Sequence, residues 1–175
     1  MKLTLLPTLL LAALLAGGQS ATTAHSDQQT SVHANFSGRW RMDKEKSDFA
    51  SFTMPDIVVR VIDQHDPTMN VHTVQTNGQK TSTVDATYMT DGSVANNIIN
   101  NRDATSKAFW DGKSLVIRTN MKTAKNENEE IEDRYELSDD GQLLTMTSHV
   151  TTEKGEVTMK MVCSKEKASP SATNT

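Results

Sequence analysis

The sequence predicts an all-β domain, an antiparallel up-and-down meander that closes into a barrel of about eight to ten strands. Short segments alternate apolar and polar residues, which predicts strands with one buried face. Turn dipeptides such as Asn77-Gly78 and Asp111-Gly112 separate these segments and predict hairpins. A meander of hairpins has two free edges with unpaired backbone groups, and closure into a barrel removes both.

Ten segments alternate in this way along the chain. The first is Phe36 to Asp43, and the others are DIVVRVIDQH, MNVHTVQT, STVDATYMT, SVANNIIN, ATSKAFW, KSLVIRTNMK, IEDRYEL, QLLTMTSHV and EVTMKMVC. Further turn signals fall between them at Asp66-Pro67, Asp91-Gly92, Asp139-Asp140-Gly141 and Lys154-Gly155. Residues 44–52 are the one stretch that suits a short helix or a 3₁₀ turn, which Pro55 would end.

The first residues have the composition of an export signal. Lys2 supplies a positive charge, residues 3–16 are almost wholly apolar, and small residues follow. The apolar run is too short for a comfortable transmembrane span, which needs about 20 residues, so we expect no integral membrane span. We expect a signal peptide at residues 1–21 and a secreted or periplasmic protein. Cleavage after Gly18, Ala21 or Ala24 fits this pattern.

The rest of the chain is predicted to form one domain. Residues 22–35 are polar and lack apolar periodicity, which is typical of a disordered leader, and residues 166–175 form a similar tail. The folded barrel is expected at residues 36–165. Its single cysteine, Cys163, alternates with apolar residues and is predicted to be a buried apolar side chain.

The segment FSGRW at residues 36–40 carries a family resemblance. A Gly-x-Trp on the first strand, with an aromatic residue two positions before the glycine, is similar to the first-strand motif of the calycins. This superfamily contains the lipocalins and the intracellular fatty-acid-binding proteins. The segments WDGKSLVIRT and DRYELSDDGQLLTM also resemble the second half of a fatty-acid-binding-protein barrel. The resemblance implies a bacterial-type secreted lipocalin-like protein in which Trp40 packs across the closed end and Gly38 permits close approach of the bent first strand.

Two features of the calycins are altered in this sequence. Lipocalins stack an arginine from the last strand on this tryptophan, and the candidates here are Arg134, Lys160 and Lys165. Fatty-acid-binding proteins hold a ligand carboxylate with an Arg-x-Tyr pair, whereas Arg134 and Tyr135 are adjacent. Adjacent strand residues point to opposite faces, so these two side chains are not expected to act together.

Alternation along each strand predicts which residues line the barrel. The predicted inward faces are Ile57, Val59 and Val61; Met69 and Val71; Leu115, Ile117 and Met121; Ile131, Tyr135 and Leu137; Leu143; and Val157, Met159 and Met161. Polar residues such as Thr73, Thr119 and Asp133 interrupt these faces. This mixture favours a cavity for an amphipathic ligand, although a solid core with threonines chosen for their β-branched shape is also compatible. The predicted ligand-binding residues are Arg60, Val71, Tyr88, Trp110, Ile117, Arg118, Tyr135 and Met159.

Arg60 and Arg118 each interrupt an apolar strand. If their faces point inward, the guanidinium groups can hold an anionic ligand head. If they point outward, both are solvated side chains on the barrel surface.

The sequence does not contain the motifs of common catalytic sites. The histidines His65, His72 and His149 have no metal-ligand spacing, and no nucleophile or phosphate-binding motif occurs. A net charge of −4 without basic patches argues against nucleic acid. We therefore predict an exported barrel that binds a small hydrophobic or amphipathic ligand, with no catalytic residue, metal or cofactor. The alternative is a packed barrel that acts as an extracytoplasmic protein-interaction module.

Overall fold

The computed structural model describes residues 33–167, which form ten antiparallel β-strands. The strands are β1 (Gly38–Met42), β2 (Ile57–His65), β3 (Thr68–Asn77), β4 (Lys80–Met89), β5 (Val94–Ile99), β6 (Arg102–Asp111), β7 (Ser114–Lys122), β8 (Asn128–Leu137), β9 (Leu143–Thr152) and β10 (Gly155–Lys165). The predicted signal peptide, most of the predicted leader and residues 168–175 of the predicted tail lie outside the described residues. Within residues 33–167, the structure has no helix that is long and apolar enough to cross a membrane.

The strands form a nearly closed barrel with the order of a meander. Each strand pairs with its neighbour in sequence from β1 to β4 and from β5 to β10, and β1 pairs with β10. This leaves β4 and β5 as neighbouring edges. The Asn97 side chain connects them, because its amide donates to Thr87 O at 3.0 Å and accepts from Thr87 N at 2.8 Å. The predicted all-β antiparallel meander is thus confirmed, and it forms a barrel that is nearly closed.

The hairpin turns follow from local turn chemistry. Gly78 and Gly112 have φ angles of 59° and 62°, the left-handed region that hairpin turns of this kind require. The turn between β5 and β6 uses Asn100 and Asn101 instead, with φ angles of 52° and 59°. Asparagine tolerates this region better than most other residues do, so the hairpin forms without glycine.

The segment between β1 and β2 forms turns in place of a helix. The Asp43 carboxylate accepts hydrogen bonds from the backbone N–H groups of Glu45 and Lys46, and Asp48 pairs with Lys160 on β10 through the backbone. Phe49 from this segment packs against the core. The segment therefore lies along the barrel wall and contributes a side chain to the interior.

One end of the barrel is densely packed, and we call it the closed end. It is the end at which β1, β3, β5, β7 and β9 begin, and it contains the fully buried Phe36, Trp40, Met69, Leu115 and Leu144. The Trp40 indole N–H donates to Phe36 O at 2.9 Å. A tryptophan with its polar atom satisfied is well suited to such a core position.

Lys165 supplies the cation that covers Trp40. Its Nζ lies 5.1 Å from the centroid of the Trp40 ring, within the range of a cation–π interaction. Of the three basic candidates in the sequence, Lys165 is therefore the one that stacks. Gly38 lies beneath this side chain at φ 147°, and a Cβ there would be 2.8 Å from Lys165 Cε. The glycine thus allows the close approach that the motif implies.

Two of the predicted inward faces are wrong. On β2, Val58 and Ile62 belong to the core while Ile57 is exposed, so the inward face is Val58, Arg60 and Ile62. On β9 the inward residue is Leu144, not Leu143. Both strands carry consecutive apolar residues, so the apolar pattern alone cannot identify the inward face, and the register with neighbouring strands determines it.

Candidate functional site

A polar cluster lies inside the barrel beyond the closed end. Arg60 comes from the inward face of β2, Tyr88 from β4, and Asp133 and Tyr135 from β8. Because alternate residues of a strand point to the same side, Asp133 and Tyr135 face the interior together. Closure of the barrel brings β2 and β8 to opposite sides of one space, although these residues are far apart in sequence.

Arg60 is held by two interior side chains. Its Nη1 donates to Tyr135 Oη at 2.7 Å and lies 2.8 Å from Met146 Sδ. Arg60 Nε is buried and has no hydrogen-bond partner within the described part of the chain. Burial opposes the charge, but the neighbouring phenols and Asp133 outweigh it and raise the pKa of Arg60. Arg60 is therefore a cation with unused hydrogen-bonding capacity.

Asp133 is the interior carboxyl group. Burial is the main cause that raises the pKa of its carboxyl group, while a hydrogen bond from Ser148 and the charge of Arg60 lower it. Burial also raises the pKa of Tyr135 to about 12 and that of Cys163 to about 11, and it raises the pKa of Tyr88. The two phenols and the thiol consequently stay uncharged near neutral pH.

Two adjoining cavities surround this cluster. Their volumes are about 210 and 240 Å³, and they share the lining residues Arg60, Thr73, Gln75, Ile131 and Asp133. We call them the first and second cavity.

Apolar side chains form the walls of both cavities. Those of the first are Val71, Val84, Ala86, Ile99 and Met121. Those of the second include Val58, Met146, Val150, Met159, Met161 and Phe49. The interior thus combines apolar walls with a small number of polar groups, the usual composition of a small-molecule pocket.

The structure places five of the eight predicted ligand-binding residues around these cavities. Arg60, Val71, Tyr88 and Tyr135 line the first cavity, and Met159 lines the second. The inward orientation that was one of two possibilities for Arg60 is the one observed.

The other three predicted residues lie elsewhere. Arg118 is on the outer surface, where its Nε donates to Glu132 at 2.8 Å, so the outward one of its two possible orientations is the one observed. Arg118 points outward because it alternates with the inward Ile117 and Thr119. Ile117 is fully buried in the core, outside both cavities. Trp110 belongs to the closed end, where its ring stacks 5.9 Å from Phe36.

Sequence reasoning did not select Asp133, Thr73 or Ser148 as site residues. Asp133 lies two residues from the predicted inward residues Ile131 and Tyr135, and Thr73 lies two residues from Val71. Strand alternation therefore places both side chains on the inward face, which is the signal that the sequence offers for them. The sequence pattern does not indicate Ser148, because it predicts Leu143 as the inward residue of β9 and so assigns Ser148 to the outward face. Within residues 33–167, no group of three or more histidine, cysteine or carboxylate side chains is placed to hold a metal ion.

Comparison with solved structures identifies the fold. An abundant heat soluble (SAHS) protein from Ramazzottius varieornatus superimposes with a TM-score of 0.55 at 18% identity, covering 74% of this chain and 94% of that one. Apo lipid binding protein 8 from Caenorhabditis elegans gives 0.53 at 11% identity, covering 75% and 95%. Zebrafish ileal bile acid-binding protein complexed with cholic acid gives 0.52 at 15% identity, covering 75% and 98%.

These similarities, together with the nearly closed antiparallel meander, show that the chain has the barrel fold of these proteins, the fold that the calycin resemblance predicts. No family model matches the sequence, and a search of curated proteins gave no match.

Proposed function

We propose that this protein binds a small hydrophobic or amphipathic molecule inside its barrel and does not chemically convert it. The observation that carries this proposal is the pair of adjoining cavities, whose apolar walls surround Arg60, Asp133, Tyr88 and Tyr135. Apolar walls favour a hydrocarbon body, and a few buried polar groups orient one polar head.

The polar groups have the incomplete pairing expected of a binding site. Arg60 Nε has no protein partner among the described residues, and a buried unpaired donor costs about 1–3 kcal/mol. A ligand head that accepts hydrogen bonds from the guanidinium recovers part of this cost. Arg60 is therefore the proposed polar anchor, with Tyr135 holding the guanidinium in place through its hydroxyl.

The similar structures support the same function by analogy. One is described as a lipid binding protein and another as a bile acid-binding protein in complex with cholic acid. Both use the barrel architecture found here. At their low sequence identity the ligand does not transfer, and the interior of this chain defines its own requirements.

A titration with Nile red, an uncharged fluorescent probe, tests interior binding. Thr73 lines both cavities, so Thr73→Phe fills their shared wall. Thr83 is an exposed residue of the neighbouring strand β4 and gives the matched control Thr83→Phe. We expect Thr73→Phe to weaken Nile red binding by about tenfold or more and Thr83→Phe by less than about twofold. Equal effects would contradict interior binding, and no Nile red binding by the wild type would favour the packed interaction module.

We further propose that the protein acts outside the cytoplasm. The support is the charged start and the apolar run of residues 3–16 followed by small residues. Expression of the full chain in a bacterial host, followed by intact mass analysis of each cell fraction, tests this. We expect a periplasmic form cleaved after Gly18, Ala21 or Ala24, and Leu10→Arg should block its appearance. A full-length cytoplasmic product from the wild type would contradict export.

A further inference from the structure

One basic and one acidic side chain line the two cavities. Among the residues that line either cavity, Arg60 is the only basic residue and Asp133 is the only residue with a carboxyl group. Both residues line both cavities. The other polar lining residues carry no charge, and they are Thr73, Gln75, Ser82, Tyr88, Asn100, Thr119, Tyr135 and Ser148. The formal charge of the interior is therefore zero when Asp133 is ionised and +1 when it is protonated.

Arg60 and Asp133 hold different protein partners. Arg60 contacts Tyr135 and Met146, while Asp133 accepts a hydrogen bond from Ser148. No direct hydrogen bond joins Arg60 to Asp133 in the described residues, yet each influences the ionisation of the other. Both groups line the space shared by the two cavities, where a ligand head can contact a donor and an acceptor.

This arrangement disfavours an anionic head group. A carboxylate or sulfate placed beside Arg60 would also lie near ionised Asp133, and like charges repel strongly where little water screens them. The balanced pair instead suits an uncharged head that accepts from Arg60 and donates to Asp133. A primary amide and an alcohol both have this capacity.

We propose that Asp133 determines the head-group selectivity of the barrel: its ionised form selects uncharged amphiphiles with a hydrogen-bonding head, and its protonation admits anionic ones. The inference rests on the proposed function, since it concerns the same interior cavities. It assigns to Asp133 a specificity-determining role in addition to the anchoring role of Arg60.

The other ionisable groups around Asp133 have ordinary pKa values above neutral. These groups are Arg60 from β2, Tyr88 from β4 and Tyr135 from β8, and Cys163 from β10 lies near Arg60 and Tyr135. The pKa of Tyr135 is raised to about 12 and that of Cys163 to about 11, while the pKa values of Tyr88 and Arg60 are raised from already high ordinary values. Of the ionisable groups that face the cavities, Asp133 is the one whose ordinary pKa lies below neutral, and burial raises it.

The test compares decanamide, which has no charge, with decyl sulfate, which stays anionic at all these pH values. Binding of each to the intact protein is followed by calorimetry from mildly acidic to mildly alkaline pH, where intrinsic tryptophan fluorescence confirms the folded state. As pH rises through the titration of Asp133, we expect decyl sulfate affinity to fall by about tenfold or more. Decanamide affinity should change by less than about threefold.

Three variants assign the effect to Asp133. Asp133→Asn should bind decyl sulfate with little pH dependence, whereas Glu132→Gln, the adjacent outward carboxylate, should behave as the wild type. Ser148→Ala removes a hydrogen bond that favours the ionised form, so it should move the midpoint to higher pH. This variant keeps the test decisive even if Asp133→Asn does not fold.

The outcomes separate the two proposals. Binding of both amphiphiles with no pH dependence, or a midpoint that Ser148→Ala leaves unchanged, would overturn the selectivity inference and leave interior binding intact. Binding of neither amphiphile at any pH would overturn interior binding, and the selectivity inference with it.

Discussion

The closed end and the cavity half of the barrel are built from the same strands but filled differently. At the closed end, aromatic and long apolar side chains meet, among them Phe36, Trp40 and Leu144. Around the cavities the inward positions carry smaller or polar residues, such as Thr73 and Ala86. The strand pattern is continuous between the two halves, so side-chain volume alone decides which half is solid.

This difference separates stability from binding. Packed apolar volume at the closed end contributes hydrophobic stabilisation, whereas the cavity half gives up packing and retains the buried ionisable side chains of Arg60 and Asp133. Substitutions at the closed end should therefore act mainly on unfolding, and substitutions around the cavities mainly on ligand affinity.

The largest expected effect is that of Trp40→Ala. It removes a fully buried ring, its hydrogen bond to Phe36 O and the surface that Lys165 covers. We expect the free energy of unfolding to fall by about 3–5 kcal/mol. Urea unfolding followed by circular dichroism measures it, and a loss under about 1 kcal/mol would show that the closed end does not carry the stability.

Gly38→Ala should have the next largest effect. The residue has a φ of 147°, and the added Cβ would meet Lys165 Cε at 2.8 Å. Backbone strain of this kind costs about 1–3 kcal/mol, while the flexible lysine end can move aside. Urea unfolding should show that loss. A neutral result would mean that the first strand relaxes freely, which would argue against a rigid closed end.

An effect of similar size is expected on the wall between β6 and β7. Ser106 Oγ and Thr119 Oγ1 are buried and lie 2.8 Å apart. Ser106→Ala leaves the threonine hydroxyl unpaired and should cost about 1–3 kcal/mol, whereas the double variant Ser106→Ala/Thr119→Val should be nearly neutral. Equal destabilisation by both variants in urea unfolding would show that packing, and not pairing, holds this wall.

Arg118→Ala should have the smallest effect. Its side chain is exposed and paired with the exposed Glu132 on the outer surface. Such pairs contribute about 0–1 kcal/mol, so stability should change by less than about 0.5 kcal/mol and Nile red affinity should not change. A clear loss of Nile red affinity would place a binding surface on the outside of the barrel and contradict the confinement of binding to the cavity half.

The sequence predicts the fold well because strand alternation and turn chemistry are local. Asn77-Gly78 and Asp111-Gly112 each lie where one strand ends and the hairpin to the next begins, as expected. The faces of β2 and β9 were misassigned because Val58 and Val59, and Leu143 and Leu144, are adjacent apolar pairs. No local rule determines which member of such a pair points inward.

The site was predicted only in part because its contacts cross the barrel. Strand alternation correctly places Arg134 and Tyr135 on opposite faces of β8. Arg134 pairs with Asp111 on the outside, and Tyr135 is buried inside. The partner of Tyr135 is Arg60, which is 75 residues away in sequence. Sequence alone does not fix this pairing, since it depends on the register around the closed barrel.

Methyl NMR of the protein labelled with carbon-13 at its methionine methyl groups, with and without decanamide, directly tests the division of the barrel into a packed end and a binding half. Met121, Met146, Met159 and Met161 line the cavities, whereas Met42 and Met69 are buried outside them. We predict that methionine signals from the cavity group shift and that those of Met42 and Met69 stay in place. Shifts confined to Met42 and Met69 would contradict the division of the barrel into a packed end and a binding half.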